Sequence, residues 1–535
     1  MSTTTSSRRT FLGAGGALAG AFALSSIAAG ASAAPSGTAR TPYRVITAGS
    51  EQYEDLLQGT NLRWRGAAQR IAFPTTTDEV AQELRTVLGL GLRPSARSGG
   101  HCYEGFVANG DVKAIIDLSA MDQVHWDPEM KAFEVGAGAQ LGLVYQLLYK
   151  QWGVYAPAGN CPTVGAGGHI AGGGYGSMNR RDGLVVDHLL AVETVHVQAD
   201  GTVTVSRGTR DPRDPHHELW WAHTGGGGGN FGIATRYWLR SPSVSGDQPE
   251  KALPAPPRHV WLSTVAWDWA SIDEAAFTRL LNNHGRWHEA NSAPGTPEAK
   301  LFAQLKTWHR SNGSITMDTI VDAAAPDATG VLDRYLAAVS AGLPEPKVVQ
   351  HRLVPWLQAT QWSGFTGPDS TRRFKGKSAY LRRSYTPDAI SAAYRGLNDP
   401  AISNPTALLM IASYGGAVNQ VSAAATAVPQ RDSIIKFQVV SIWDNPEDDD
   451  ANVAWTRTTY RNMFAVTGGV PAPNENADGA FVNYADVDLN VRAWNISGLS
   501  AFQLYYKDNL PRLKRARATY DPKGVFTHAQ SIPLV

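Results

Sequence analysis

The chain has 535 residues, 53 of them glycine, and a formal net charge of +1 at pH 7. A balance this close to zero gives no electrostatic footprint for nucleic acid or an anionic membrane, which argues against both as partners. The length exceeds one ordinary core, so two domains with room for a large cofactor are expected.

Residues 1–34 read as an export signal. Ser7-Arg8-Arg9-Thr10-Phe11-Leu12 forms a twin-arginine pattern, a Gly/Ala-rich stretch follows, and Ala31-Ser32-Ala33 offers a site for cleavage after Ala33. The stretch is poor material for a spanning helix, and no later segment reaches transmembrane length. The twin-arginine route carries folded proteins, which suits a secreted protein loaded with cofactor before export. Cys102 and Cys161 are the only cysteines, so there is no disulfide framework and Cys161 is open to chemistry. A single bridge between the two is the alternative.

Ordered sequence is expected from Tyr43. Thr76-Thr77-Asp78-Glu79 has the form of a capping box. Val80, Leu84, Val87 and Leu88 then recur at helical spacing until Gly89 and Gly91 stop the helix. Residues 93–98 predict a short strand ending at a glycine loop, with Gly99 and Gly100 before His101 at its tip. Residues 112–118 and 132–135 predict strands, and Leu141, Val144, Tyr145 and Leu148 mark a helix.

In the next stretch, AGNCPTVGAGGHIAGGGYGS at 158–177, eight of the eighteen residues 159–176 are glycine. Glycine is used where a ligand must approach bare backbone, and each one costs entropy on folding. A flexible linker would not fix a Cys, a His and a Tyr among such glycines. Residues 189–198 and 202–206 pair as a hairpin about Asp200-Gly201. A third glycine loop puts six glycines into the eight residues 225–232. Gly227, Gly229 and Gly232 satisfy G-x-G-x-x-G, but a helix at 218–222 precedes them and a strand at 233–239 follows, the reverse of the dinucleotide context.

Pro, Ser and Gly over 241–257 read as a domain boundary. Residues 258–470 predict a second domain, an antiparallel sheet covered by helices, with a helix at 273–288, strands at 407–413 and 433–443, and helix-starting acids at 447–450. The tail, 471–535, is expected to return to the first domain, and the basic run 507–523, with Arg512, Lys514, Arg515 and Arg517, reads as a solvated helix face. Of sixteen tryptophans, Trp356, Trp362 and Trp443 could stack on sugars.

Arg97-Ser98-Gly99-Gly100-His101, Cys161, Gly167-Gly168-His169, Gly172-Gly173-Gly174-Tyr175-Gly176, Gly228-Gly229-Asn230-Phe231-Gly232, Asn483-Tyr484, Asp521-Pro522 and Gln530-Ser531-Ile532-Pro533 can now be taken together. With these motifs the chain resembles the FAD-linked oxidases of the berberine bridge enzyme type, within the vanillyl-alcohol oxidase superfamily. Within that family it is most similar to bacterial members that tailor glycosylated natural products. The resemblance implies an α+β, two-domain FAD-binding PCMH-type fold, with the cofactor domain at 43–240, the substrate domain at 258–470 and the returning segment at 471–535. It implies FAD attached twice, through His101 at the 8α-methyl and Cys161 at C6. Imidazole and thiolate are the nucleophiles such an electrophilic ring needs.

Backbone N–H groups around Ser98 to His101 and Gly228 to Asn230 would cradle the pyrophosphate. Arg97, Cys102, Gly165, Gly168, His169, Gly172, Gly174, Tyr175, Gly232, Ile233 and Asn483 complete the expected cofactor contacts. His101, Cys102 and His169 lack metal-ligand spacing, so no metal is expected. In the resembling enzymes a tyrosine takes the substrate's proton, which makes Tyr484 the base here and Tyr414 a second active-site tyrosine. An ordinary phenol titrates near 10, so a phenolate near neutral pH must be favoured by roughly 3 units, about 4 kcal/mol.

The resemblance therefore implies a secreted oxidase. It would oxidise a hydroxyl of a sugar, oligosaccharide or glycosylated natural product by hydride transfer to flavin N5, with O2 reduced to H2O2. Oxidative cyclisation or dehydrogenation of a non-sugar metabolite is the alternative, and a colourless, inactive binding protein is the reading outside catalysis.

Overall fold

The structure, a computed structural model, describes residues 42–366 and 371–534; the export signal read at 1–34 lies outside the described residues. Strands β1 (Arg44–Ile46), β2 (Arg70–Phe73), β3 (Pro94–Arg97) and β4 (Ala114–Asp117) form a sheet in the order β1-β2-β4-β3. The pairs β2/β4 and β3/β4 are parallel. Buried on both faces, β4 reads as an unbroken apolar run through Ala114, Ile115 and Ile116. The crossover between β2 and β3 is the helix Thr77–Gly89, whose Glu79 amide donates to Thr76 Oγ1 at 3.2 Å. The Glu79 carboxylate reaches back to the Thr75 amide, one residue beyond the expected box.

A second, antiparallel sheet runs in the order β5-β6-β9-β7-β8, from β5 (Val124–Asp127), β6 (Ala132–Gly136), β7 (Leu189–Val197), β8 (Val203–Thr209) and β9 (Ile233–Leu239). The β7/β8 hairpin and the strand leaving the third glycine loop stand as read from sequence. Part of the central glycine stretch is a short helix, Ala166–Ala171, which the sequence reading took for loop. Ala139 and Ala137 carbonyls accept from its Ala166 and Gly167 amides at 2.8 and 2.9 Å. A Cβ on Gly167 would sit 2.9 Å from the Ala137 carbonyl, so glycine is what lets this helix lie on the strand.

The third sheet holds β10 (His259–Asp268), β11 (Leu301–Trp308), β12 (Ser314–Asp322), β13 (Val348–Pro355), β14 (Arg373–Leu381), β15 (Leu408–Ser413) and β16 (Ile435–Trp443). Its order is β13-β10-β12-β11-β15-β16-β14, antiparallel throughout. The helices Glu274–Ala290, Ala328–Ser340, Pro387–Leu397 and Asp449–Met463 pack on it and on one another. Asp449 and Asp450 occupy the first turn of the last, where the helix dipole favours acids.

The tail packs on the glycine loops. Tyr506 Oη donates to the Gly226 carbonyl at 2.8 Å, and the Ile532 amide to Asn230 Oδ1 at 2.9 Å. The basic run is only partly a solvated face. Arg517 is buried and binds the Ile532 and Phe526 carbonyls, because the last turns of chain fold over it, while Arg512 pairs with Glu218 and lies over Trp221. Among the described residues no helix is long and apolar enough to cross a membrane, and no cluster of His, Cys, Asp and Glu could hold a metal.

Candidate active site

A cavity of about 640 Å³ opens between the glycine loops, the third sheet and the tail. That volume is within the roughly 300–1,000 Å³ usual for small-molecule sites. The first two loops meet glycine on glycine: a Cβ on Gly99 would collide with Gly165, and one on Gly165 with Ser98 and Gly99. At Gly168 and Gly228 the opposite holds. Both line the cavity, and a Cβ there would meet no protein atom within 4 Å, so bare backbone faces open space. This cradle, with an imidazole and a thiol on its wall, fits a flat, phosphate-bearing cofactor such as FAD.

His101 and Cys161 arrive together. His101 Nε2 lies 3.0 Å from Thr163 Oγ1, and Cys161 Sγ lies 3.5 Å from the same oxygen. Burial pushes the His101 imidazole down to about 4, which leaves it neutral at pH 7. Cys102 and Cys161 are both free thiols, and burial pushes the Cys102 thiol up to about 11, unlike a reactive cysteine. Arg97, Ser98, Gly99, Gly100 and Cys102 line the same wall, with Gly165, His169, Gly229, Asn230, Gly232 and Ile233. Arg97 is engaged by Asp117 at 2.5 Å and by the Leu56 and Gln58 carbonyls, so it holds the loop in place.

Gly172 and Gly174, expected as cofactor contacts, stand behind the wall. A Cβ on Gly172 would overlap the Asn483 amide, and one on Gly174 would meet Val185 and His169. They make room for other side chains. Asn483 Nδ2 donates to the His169 carbonyl at 3.0 Å, and His169 Nε2 accepts from the Gly159 amide at 3.0 Å.

Tyr484 follows Asn483 into the cavity, its hydroxyl 2.7 Å from that of Tyr175. Its ring stacks on Tyr103 at 4.9 Å. Lys436 Nζ lies 3.1 Å from the Tyr175 ring centre, 3.3 Å from that of Phe481 and 4.5 Å from that of Tyr484. The Lys436 Nζ is buried with no hydrogen-bond partner among the described residues. Burial raises the Tyr484 phenol well above its ordinary 10, pushes Tyr175 up to about 12, and lowers Lys436 well below 10.5. Tyr414 does not reach the cavity. It is fully buried behind Tyr380, ring centres 5.1 Å apart, because the chain turns at Gly415 and Gly416 onto the Arg180 backbone.

The sequence reading missed Lys436, Tyr103 and Gln438. The signal was present in β16, where Lys436 and Gln438 alternate with Ile435, Phe437 and Val439 along a buried strand. The sheet side of the cavity is otherwise apolar, through Phe302, Phe374, Leu408, Met410, Val440 and Ile442, with Gln304, Lys306 and Trp308 at intervals. Lys306 pairs with Asp318 at 2.8 Å. Trp356, Trp362 and Trp443 do not line it; Trp308 does.

A buried ion network ties four segments behind the site. Lys375 binds Glu104 and, at 2.8 Å, Asp486; Lys377 binds Asp486 and, at 3.2 Å, Asp488; Arg457 closes on Asp488 at 2.8 Å. Glu104 follows Tyr103, and Asp486 stands two residues after Tyr484, so both stacked tyrosines are pinned to β14. Asn61 covers the same edge, donating to the Tyr103 and Phe374 carbonyls.

Fold and site together define a flavin-dependent oxidoreductase. An FAD binding domain matches residues 68–206, and a berberine and berberine-like domain matches residues 480–533. The aclacinomycin-N/aclacinomycin-A oxidase of Streptomyces galilaeus is 44% identical over 537 residues, 98% of each chain. The hexose oxidase of Chondrus crispus is 30% identical over 89% of this chain and 92% of its own. The crystal structure of a glycopeptide hexose oxidase complexed with teicoplanin superposes with a TM-score of 0.88 at 43% identity, covering 92% of this chain and 99% of that one. The chain belongs to the berberine-bridge-enzyme-like family of FAD-linked oxidoreductases.

Proposed function

We propose that the protein is a secreted oxidase carrying FAD bound through both His101 and Cys161. It oxidises a hydroxyl on the sugar of a glycoside or oligosaccharide to a ketone or lactone and passes the electrons to O2 as H2O2. One observation carries this reading: the Tyr175–Tyr484 pair beside Lys436 faces the same cavity as His101 and Cys161. The relatives named for aclacinomycin and for hexose support a sugar-bearing substrate.

FAD, cradled at Gly168 and Gly228, supplies the hydride acceptor. Tyr175 donates a hydrogen bond that holds the Tyr484 phenolate, and Tyr484 Oη takes the proton of the substrate hydroxyl and is neutralised by it. Burial penalises a lone phenolate and a lone ammonium alike, so the favoured charged form is the pair, Tyr–O⁻ with Lys436–NH₃⁺. Lys436 Nζ stands 4.5 Å from the Tyr484 ring centre, near enough for the attraction within such a pair to offset part of the burial cost of both charges. Gln304, Lys306 and Trp308 orient the sugar, and the apolar strands seat its aglycone. The apolar wall also favours a second reading, ring closure or dehydrogenation of a flat non-sugar metabolite. We assign the cofactor half to 43–240, the substrate half to 258–470, the returning segment to 471–535, and export to the twin-arginine pattern in 1–34.

The test is the visible spectrum of the purified protein before and after acid precipitation, with His101→Ala, Cys161→Ala and the double variant. Colour should stay with the pellet until both residues are changed. A colourless wild type, or flavin freed by acid, overturns the double attachment. Peroxide release with glycosides and oligosaccharides, without skeletal change, selects the first reading over the second.

A further inference from the structure

Attachment asks something of His101 and Cys161 that neither arranges alone. An imidazole attacks through the nitrogen that lacks a proton, so a neutral histidine must be held in one tautomer. A cysteine attacks as thiolate, so a donor must face its sulfur. The two residues lie sixty positions apart on separate loops, yet glycine-on-glycine contact at Gly99 and Gly165 presses those loops together. One hydroxyl, Thr163 Oγ1, stands between the two side chains, 3.0 Å from His101 Nε2 and 3.5 Å from Cys161 Sγ.

A hydroxyl has one proton to give. If it were given to Nε2, the imidazole proton would sit on Nδ1 and both ring nitrogens would be blocked. Given to Sγ, the hydroxyl accepts from Nε2–H, Nδ1 is left with its lone pair, and the sulfur gains a donor. Only this direction readies both nucleophiles. The burial that keeps His101 neutral at pH 7 is consistent with it.

We propose that Thr163 is a positioning residue for cofactor attachment, accepting a hydrogen bond from His101 Nε2–H and donating one to Cys161 Sγ. The inference rests on the double attachment proposed above. At His101 an N–H bond and a C–H bond of the ring methyl break, the Nδ1–C bond forms, and two electrons with two protons go to O2 as H2O2. The Nε2 proton leaves by way of the Thr163 hydroxyl. At Cys161 the S–H and C6–H bonds break, the S–C6 bond forms, and a second O2 takes the electrons and protons. Thr163 itself is solvent-exposed, so its side chain contributes little to core packing.

Thr163→Val and Thr163→Ser, purified as expressed beside the wild type, provide the test. Digestion and mass analysis give the fraction of chains linked at His101 and at Cys161, and chromatography of the released histidyl flavin separates Nδ1 from Nε2 linkage. Thr163→Val should lower the doubly linked fraction about tenfold, the scale of a lost hydrogen bond to a developing charge, and should mix the two linkage isomers. Thr163→Ser should match the wild type. A doubly linked, purely Nδ1-linked Thr163→Val protein overturns the role of Thr163 and leaves the double attachment standing. A wild type without linked flavin overturns both.

Discussion

Tyr175 and Tyr484 lie 309 residues apart in the chain and share a 2.7 Å hydrogen bond at the cavity. One comes from the central glycine stretch and the other from the returning tail, so the pair exists only when the tail is docked. Tyr484→Phe should lower kcat by about 10²- to 10⁴-fold, the usual worth of a general base, while leaving flavin attachment intact. Stopped-flow bleaching of the flavin by substrate measures this, and an unchanged rate would remove Tyr484 from the chemistry.

Lys436 sets the pH dependence. Burial pushes Tyr175 up to about 12 and Tyr484 well above 10, so activity should rise with pH as the base ionises. In its protonated form Lys436 favours that ionisation. Lys436→Met should move the rising limb of kcat/KM to higher pH by about one unit or more, each unit being about tenfold in rate at neutral pH. A limb that stays in place contradicts the electrostatic role.

Gly172 and Gly168 should separate packing from cofactor binding. Gly172→Ala forces a methyl group into the Asn483 amide, so it should cost about 1–3 kcal/mol of stability and displace Tyr484, with at least a tenfold loss of activity. Gly168→Ala meets no protein atom within 4 Å, so it should fold normally and lose flavin. Thermal melts and the flavin-to-protein absorbance ratio read both, and a Gly168→Ala protein that keeps its full flavin content would dismiss the cradle.

The network on β14 should reveal itself in acid. Burial alone would raise the Asp488 carboxyl, but Lys377, Arg457 and Lys375 hold it far below the usual range. A carboxyl depressed in the folded state stabilises above its unfolded value and loses that contribution as pH falls. Urea midpoints should therefore drop below about pH 4, less steeply in Asp488→Asn. At neutral pH Lys375→Met strands Glu104 and leaves Asp486 with Lys377 alone, and should cost about 3–5 kcal/mol. A midpoint within error of wild type would mean the network bears little load.

The glycine loops with His101 and Cys161 stood out because dense glycine with fixed nucleophiles has no cheaper explanation than a ligand against bare backbone, whereas Asn483-Tyr484 was marked only by the family resemblance. Gly172 and Gly174 sit in the same run, and composition cannot tell a glycine that faces a ligand from one that yields to a neighbouring side chain. Tyr414 was carried over from the resemblance, and its position before Gly415-Gly416 gave no sign that its ring is buried against Tyr380 rather than lining the cavity. Lys436 was passed over as one lysine in an apolar strand, although its place in the alternation marked it as inward. Arg517 looked solvated because the segment that buries it, residues 526–532, is itself irregular and leaves no periodic trace.

Strand β14 carries Phe374 on the cavity wall and Gly376 against Gln438 and Tyr103, while the intervening Lys375 and Lys377 grip the loops that bear Tyr103 and Tyr484. Alternate residues of one strand thus shape the cavity and hold the two stacked tyrosines. Diversification of this wall is therefore constrained: substitutions at Phe374 are free to reshape the cavity, but an insertion or deletion anywhere in β14 would exchange the two sets and abolish both at once. New specificities in such a scaffold should arise by replacement on β14 and by length change only in the loops that flank it.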